Sequence, residues 1–535
     1  MGRQQAFANV PGEEDLVNTP STHDSNSTTS EPGRWHIPAL ICLSTFWESL
    51  FILKGSNLLD EGWALYAGMQ LGMGRHLYDE ISWVFPPGHA LPAWLGHALD
   101  PQGVVVPRLI YAAFTVALCV SLYLLGRKIM PARFAFLGAA LLAVAAPRSH
   151  MMHLLYGYRY MVFAVAVLLA YSIRLETGRR SWIFIAGILA GVSLYFRVTP
   201  AFAVSVGLGI AVLTQDGGWR SWLQDWLLYA AGLILVIAPV LGYFATTVGI
   251  ERVFQEIILH PMAMLQPLAV PELAIPDWSS RTAIAEAWRV LSLRLYLLLY
   301  LGFAMSLVIS FTRARRRGQT FESTLLVAIV IWGSVFFLRS FGRADEAHMD
   351  TTLPPICLMI ALFVSHSFDK LRHRFTTPRS AELAAPIAVG LVFVIWVLLL
   401  ASDRYPLPHR FESTGLPRRV TSGVELIEKH TRPGDIILDL STAPMFHALT
   451  GRPGPGRSDI IMPGTFMHES DQVEFLMRLE AEPPAAVLWP VRHFDDMVSR
   501  SARAVAPDVV AWVQTRYRPV KKTNKFQLWL PRQMR

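Results

Sequence analysis

Residues 55–101 read GSNLLDEGWALYAGMQLGMGRHLYDEISWVFPPGHALPAWLGHALDP. This polar stretch interrupts a hydrophobic chain almost at its start. It holds two adjacent acidic pairs, Asp60–Glu61 and Asp79–Glu80, with His76, His89, His97 and the turn-forming Pro86-Pro87-Gly88. Nearly everything downstream is apolar at helical length. A loop this dense in ionisable and aromatic side chains, set between two membrane spans, is where chemistry is expected.

Hydrophobic residues make up 53% of the 535 residues and charged residues only 16%, which points to a polytopic α-helical membrane protein. The formal charge of +8 raises nucleic acid as a partner. The basic residues, however, fall in short clusters between apolar runs, which is the positive-inside pattern and excludes that reading. Cys42, Cys119 and Cys357 each sit in an apolar run, with no disulfide framework or zinc spacing. Residues 1–33 are rich in Ser, Thr, Asn and Pro without periodicity and read as a disordered cytoplasmic tail.

Apolar runs at 37–53, 109–126, 134–146, 160–173, 182–196, 199–213, 226–248, 295–311, 324–338, 353–364 and 386–400 predict about eleven crossings within residues 34–402. Basic clusters at 127–133, 174–180, 313–317 and 370–374 belong inside, so the 55–101 loop faces outside. The loops 150–159, 249–289 and 339–350 share that side. An odd number of crossings puts residues 403–535 there too. This tail alternates helix-like 420–430 and 471–481 with strand-like 435–440, 485–489 and 519–530, the pattern of a small soluble α/β domain. Its Gly451-Arg452-Pro453-Gly454-Pro455-Gly456 run carries prolines where a phosphate cradle needs free N–H groups, so no nucleotide is expected.

Several pieces, in order, resemble the GT-C superfamily of integral-membrane glycosyltransferases that use polyprenyl-phosphate-linked sugars. That superfamily includes the protein O-mannosyltransferases and the lipid A aminoarabinose transferases. The matching pieces are Asp60-Glu61-Gly62 with Tyr66, Tyr78-Asp79, Phe85-Pro86-Pro87-Gly88, and Phe196-Arg197 ahead of Thr199-Pro200. Further on come Arg343-Ala344-Asp345-Glu346-Ala347-His348 before Leu353-Pro354-Pro355, then Leu449-Thr450-Gly451-Arg452-Pro453 and Ile461-Met462-Pro463-Gly464. The last two are similar to bacterial members with a C-terminal periplasmic domain. The resemblance implies an inner-membrane enzyme that passes a sugar, with inversion, to a hydroxyl of a glycan, lipid or protein. One departure stands out. Some relatives carry a second catalytic carboxylate after the third span, whereas no Asp or Glu occurs here between Pro101 and Leu175. A second acid would come from Asp79, Glu80, Asp345, Glu346 or Asp350.

Such a transfer needs a base for the acceptor's proton and cations for the departing phosphate. Asp60 is the base candidate and Glu61 its neighbour, although consecutive helical residues point about 100° apart. The plainer reading is that the acids serve the N-terminus of a helix. Arg159, Arg197, Arg339 and Arg343 are the phosphate candidates, with snorkelling to headgroups as the alternative for each. Arg197 is favoured because it sits in a very tight turn. Asp345, Glu346 and His348 could complete the site or, with His150 and His153, hold a divalent metal, without any local ligand spacing. Glu48 is expected to pair with Lys54. Residues 251–264 carry apolar side chains at helical spacing and are expected to lie along the membrane surface. Two other classes compete: a transporter or flippase of lipid-linked sugars, and a non-catalytic envelope assembly protein. The absence of an internal repeat weighs against the first.

Overall fold

A computed structural model describes residues 35–53, 57–101, 103–145, 159–215, 218–268, 312, 320–338, 351–372, 384, 387–395, 416–466, 468–494 and 497–532. The first half is a helical array: α1 (His36–Ile52), α2 (Asp60–Gly72), α3 (Leu91–Leu99), α4 (Val105–Gly126), α5 (Ala132–Ala145), α6 (Met161–Thr177), α7 (Ser181–Phe196), α8 (Val198–Leu213) and α9 (Trp219–Thr247). Beyond it lie α10 (Ile250–Phe254), a π turn (Gln255–Leu259), α11 (His260–Leu268), α12 (Thr320–Leu338) and α13 (Leu353–Arg372).

Among the described residues, three helices are long and apolar enough to cross a membrane: α4, α9 and the Phe321–Leu338 part of α12. The 22 residues of α4 rise about 33 Å, enough for a hydrocarbon core of about 30 Å. Helices α1, α5, α7 and α8 are equally apolar but only 14–17 residues long, so each rises about 21–26 Å. Of the eleven crossings expected from sequence, the described residues hold three clear ones, by length and composition, and a set of short apolar helices. The expected run at 295–311 lies outside the described residues, as does residues 1–33. On α9, Leu227, Ile234 and Leu235 are exposed, an apolar face suited to lipid. The bundle core gathers Leu122, Phe134, Leu168, Leu208, Trp332 and Leu358 from α4, α5, α6, α8, α12 and α13.

The C-terminal residues form α14 (Arg418–His430), β1 (Ile437–Asp439), α15 (Met445–Thr450), α16 (Glu469–Ala481), β2 (Ala486–Pro490), α17 (Ala502–Val505), α18 (Pro507–Arg516), β3 (Tyr517–Lys522) and β4 (Phe526–Pro531). The sheet runs β1-β2-β4-β3, with β1 and β2 parallel and the other pairs antiparallel. The stretch expected as one strand over 519–530 is a hairpin instead. Thr523 makes the turn, its Oγ1 accepting from the N–H of Lys525 and of Phe526. Pro519, which cannot donate to a ladder, sits on the edge strand β3.

One face of this region has a core of its own, with Leu438, Phe475, Leu479, Val487, Val509 and Val513 packed together, and the other face is shared. Tyr66 and Trp83 of the polar loop join Leu426, Met445, Phe446, Leu488 and Phe526 in one continuous apolar cluster. The approach is close: a Cβ on Gly62 would lie 2.3 Å from the Met445 nitrogen. Only glycine lets the first turn of α2 meet the backbone before α15, where the Met445 N–H donates to the Leu58 carbonyl at 3.2 Å.

Candidate active site

The N-terminus of α2 is capped by Asn57, whose Oδ1 accepts from the N–H of Leu59 at 3.1 Å and of Asp60 at 2.8 Å. Its Nδ2 donates to Asp60 Oδ2 at 2.7 Å. Asp60 and Glu61 occupy the first turn, where acids complement the helix dipole. Their environments differ sharply. Glu61 is wholly buried, and Arg108 of α4 grips both its oxygens, Nε to Oε1 at 2.6 Å and Nη2 to Oε2 at 2.9 Å. Arg108 Nη1 also donates to the Ile52 carbonyl at 2.7 Å, tying α1, α2 and α4 together. Asp60, about 100° round the helix, remains half-buried.

One turn on from Asp60, Trp63 lies on the same side of α2 and meets the Phe85 ring at 5.5 Å. Phe85 in turn stacks on His89 at 4.6 Å, and the Arg197 guanidinium lies 4.5 Å from its ring centre. Arg197 is the single extended residue between α7 and α8, with φ −157° and ψ 127°. His89 is buried, with Nδ1 3.3 Å from the Phe196 carbonyl. The hydroxyls of Tyr111 and Tyr160 lie 2.5 Å apart, so one donates to the other, and both lie 3.4 Å from the His89 carbonyl, which takes the remaining proton. The Pro86-Pro87-Gly88 turn is what brings Phe85 and His89 over α7. A Cβ on Gly88 would meet Tyr195 Cδ1 at 2.4 Å and the Tyr195 carbonyl at 2.8 Å. Beside this turn lies an apolar groove of about 230 Å³, lined by Leu71, Leu77, Pro87, Leu91, Tyr195 and Phe244 among others.

On the face that carries Trp63, Tyr66 and Gln70, α2 meets the C-terminal region. Asp459, buried, accepts from Tyr66 Oη at 2.5 Å, Gln70 Nε2 at 3.1 Å and the Gly456 N–H at 2.8 Å. Tyr66 Oη also accepts from the Gly454 N–H at 2.7 Å, while the Tyr66 ring stacks on His447. Burial pushes the Asp459 carboxyl up, against the pull of the nearby His447 and its own hydrogen bonds. Next to it, Arg457 pairs with Glu256 of the π turn, and Ser82 donates to Glu256 at 3.0 Å. Burial alone would raise Glu256, but the hydrogen bond from His260 and the charge of Arg457 outweigh it and hold the carboxyl below its usual value. The segment expected to lie along the membrane surface is thus packed, through Glu256 and His260, against the C-terminal region.

The chain matches the dolichyl-phosphate-mannose-protein mannosyltransferase family over residues 85–243, from Phe85 through Arg197 to the end of α9. Its fold is similar to that of ArnT from Cupriavidus metallidurans bound to undecaprenyl phosphate, with a TM-score of 0.55 and 14% identity over 92% of this chain and 97% of that one. The chain has the GT-C fold. A second GT-C structure, the archaeal oligosaccharyltransferase AglB from Archaeoglobus fulgidus in complex with an inhibitory peptide and a dolichol-phosphate, aligns with a TM-score of 0.51 and 14% identity over 85% of this chain and 69% of that one. No curated protein matches the chain by sequence.

Within this GT-C fold the residues singled out from sequence are distributed unevenly. Arg197 and Trp63, which stands one helical turn after Asp60, meet on the Phe85 ring. Glu61 is committed to Arg108. Arg159 is buried and forms an ion pair with Glu48 at 3.3 Å, while Lys54, the partner expected for Glu48, lies outside the described residues. The two meet because Arg159 directly precedes α6 and Glu48 lies on the inner face near the end of α1. Asp79 and Glu80 are exposed, and Glu80 accepts from the His76 N–H at 2.9 Å to close a turn. Arg343, Asp345, Glu346, His348, His150 and His153 lie outside the described residues. Among the described residues no three His, Cys, Asp or Glu side chains converge to hold a metal ion. Sequence reasoning missed Arg108, although a lone cation in an apolar run was a legible signal. It also missed Asp459, whose partners lie nearly four hundred residues away.

Proposed function

We propose that this protein transfers a sugar from a polyprenyl-phosphate-linked donor to a hydroxyl of a glycan, lipid or protein on the outer face of the membrane, with inversion at the anomeric carbon. The observation that carries the reading is the division of labour in the Asp60–Glu61 pair. Glu61 is neutralised by Arg108, which leaves Asp60 as the carboxylate of the first turn that still reaches solvent. In the reaction, Asp60 takes the proton of the acceptor hydroxyl as its oxygen attacks C1 of the sugar. The C1–O bond to phosphate breaks, and its electron pair leaves on the polyprenyl phosphate. Arg197, shielded by Phe85, meets the charge that gathers there, and low local polarity strengthens that contact.

The lipid side has support of its own. The ArnT structure holds undecaprenyl phosphate and the AglB structure a dolichol-phosphate, and the mostly apolar groove beside Pro87 and Tyr195 is suited to an isoprenoid chain. Arg343, Asp345 and Glu346 are proposed as further site residues, and the region after residue 403 is proposed to share the same side of the membrane.

The test is release of free polyprenyl phosphate by the purified protein from a panel of polyprenyl-phosphate sugars, with a cell-envelope extract supplying acceptors. Release with one donor, lost in Asp60→Asn, supports the reading and names the sugar. Release that survives Asp60→Asn, or none with any donor, rejects it.

A further inference from the structure

The crevice between α2 and the C-terminal region encloses about 20 Å³, bordered by Trp63, Tyr66, Gln70, Arg457 and Asp459. That is about the volume of one water-sized sphere, too small for a sugar ring. Its polar side chains have therefore to be explained by what they do to α2. Asp459 takes hydrogen bonds from Tyr66 and Gln70, which are one helical turn apart, so a single carboxylate fixes two points on one helix. Trp63, Tyr66 and Gln70 follow one another at spacings of three and four along one side of α2, and Asp60 stands at its first turn about 60° round from Trp63. Two anchors on that line define both the tilt and the rotation of the helix. The backbone supplies a third, because the Gly454 N–H donates to the Tyr66 hydroxyl that Asp459 already accepts from. At the other end, Gly62 and Met445 are in backbone contact.

We propose that Asp459, acting through Tyr66 and Gln70, is a positioning residue that sets the orientation of α2 and thereby of Asp60, so that the C-terminal region is a working part of the transfer site. The proposal rests on the transferase reading above. A buried carboxylate that accepts three hydrogen bonds holds its donors harder than a neutral acceptor does. Trp63 passes the orientation on to Phe85, and with it to the phosphate-binding side.

Two readouts separate this proposal from the reading it rests on, both on the full chain in lipid nanodiscs. Amide exchange over α2 is expected to be about 10- to 100-fold faster in Tyr66→Phe and in Asp459→Asn, with exchange over α4 unchanged. Tyr66→Phe keeps the ring on His447 and deletes only the hydroxyl, so it guards against loss of folding. In the release assay both variants are expected to lose about 10- to 100-fold in kcat while KM for the lipid donor stays within about twofold. The double variant should lose less than the sum of the two single losses, because both act on the shared Tyr66–Asp459 contact. Unchanged exchange over α2 in both variants overturns the coupling. Faster exchange with unchanged kcat overturns the positioning role. A wild type inactive with every donor removes the transferase reading, and the catalytic half of this proposal with it, while the exchange result still decides the coupling.

Discussion

Arg108 and Glu61 form a fully buried ion pair, with contacts of 2.6 and 2.9 Å, that joins α4 to the first turn of α2. Removing one partner leaves the other charged in an apolar setting. Glu61→Ala or Arg108→Ala is expected to cost about 3–5 kcal/mol, read as a fall in the thermal unfolding midpoint in detergent. Replacing both together, Glu61→Leu with Arg108→Met, should recover most of that loss. If the single variants unfold like the wild type, the pair is not holding α2.

Asp60 is expected to behave in the opposite way. It is half-buried, and an amide in its place still accepts from Asn57, so Asp60→Asn should leave stability within about 0.5 kcal/mol. Polyprenyl phosphate release should fall by about 10²–10⁴-fold, the usual contribution of a general base. A matched loss of stability and activity in this variant would return Asp60 to a purely structural role at the helix start.

The helices were legible because apolar runs set their own boundaries: 109–126 became Val105–Gly126, and 182–196 became Ser181–Phe196. Strands over 435–440 and 485–489 were likewise found as Ile437–Asp439 and Ala486–Pro490. What sequence could not give was partnership across distance. Asp60 and Glu61 look alike in one dimension, and only the arrival of Arg108 from α4 separates them. Asp459 sits in a run of glycines and prolines with no period to mark it as buried. The Pro519–Leu530 stretch read as one strand because its turn, built on Thr523, contains no glycine.

Glu256 gives the loop contacts a pH dependence. Its carboxyl is held below the ordinary value of 4.5 in the folded chain, so it binds protons more weakly there than when unfolded. The stability it contributes is fully present above that ordinary value and is lost as pH falls through the lower, folded one. The unfolding midpoint should therefore drop on acidification below about pH 4.5, and Glu256→Gln should flatten that drop. An acid limb unchanged in Glu256→Gln would assign it to other groups.

Gly88 is a steric test of the turn over α7. The Cβ of alanine would press on both the ring and the backbone carbonyl of Tyr195, and the carbonyl cannot rotate away. Gly88→Ala is expected to cost about 1–3 kcal/mol and to lift Phe85 from Arg197. In the release assay this should appear as a raised KM for the lipid donor. An unaltered KM would mean that the turn does not set the Arg197 side of the site.

The Tyr66 hydroxyl finds Asp459 across 393 residues of chain. A ribosome working at 5–20 residues per second makes the second partner about 20–80 s after the first. Throughout that interval α2 lacks the carboxylate that fixes it, however well the first membrane helices have already packed. Synthesis of the Asp459 segment is therefore itself the step that arms the first loop, and a chain cut short before residue 459 is left with a helix it cannot aim.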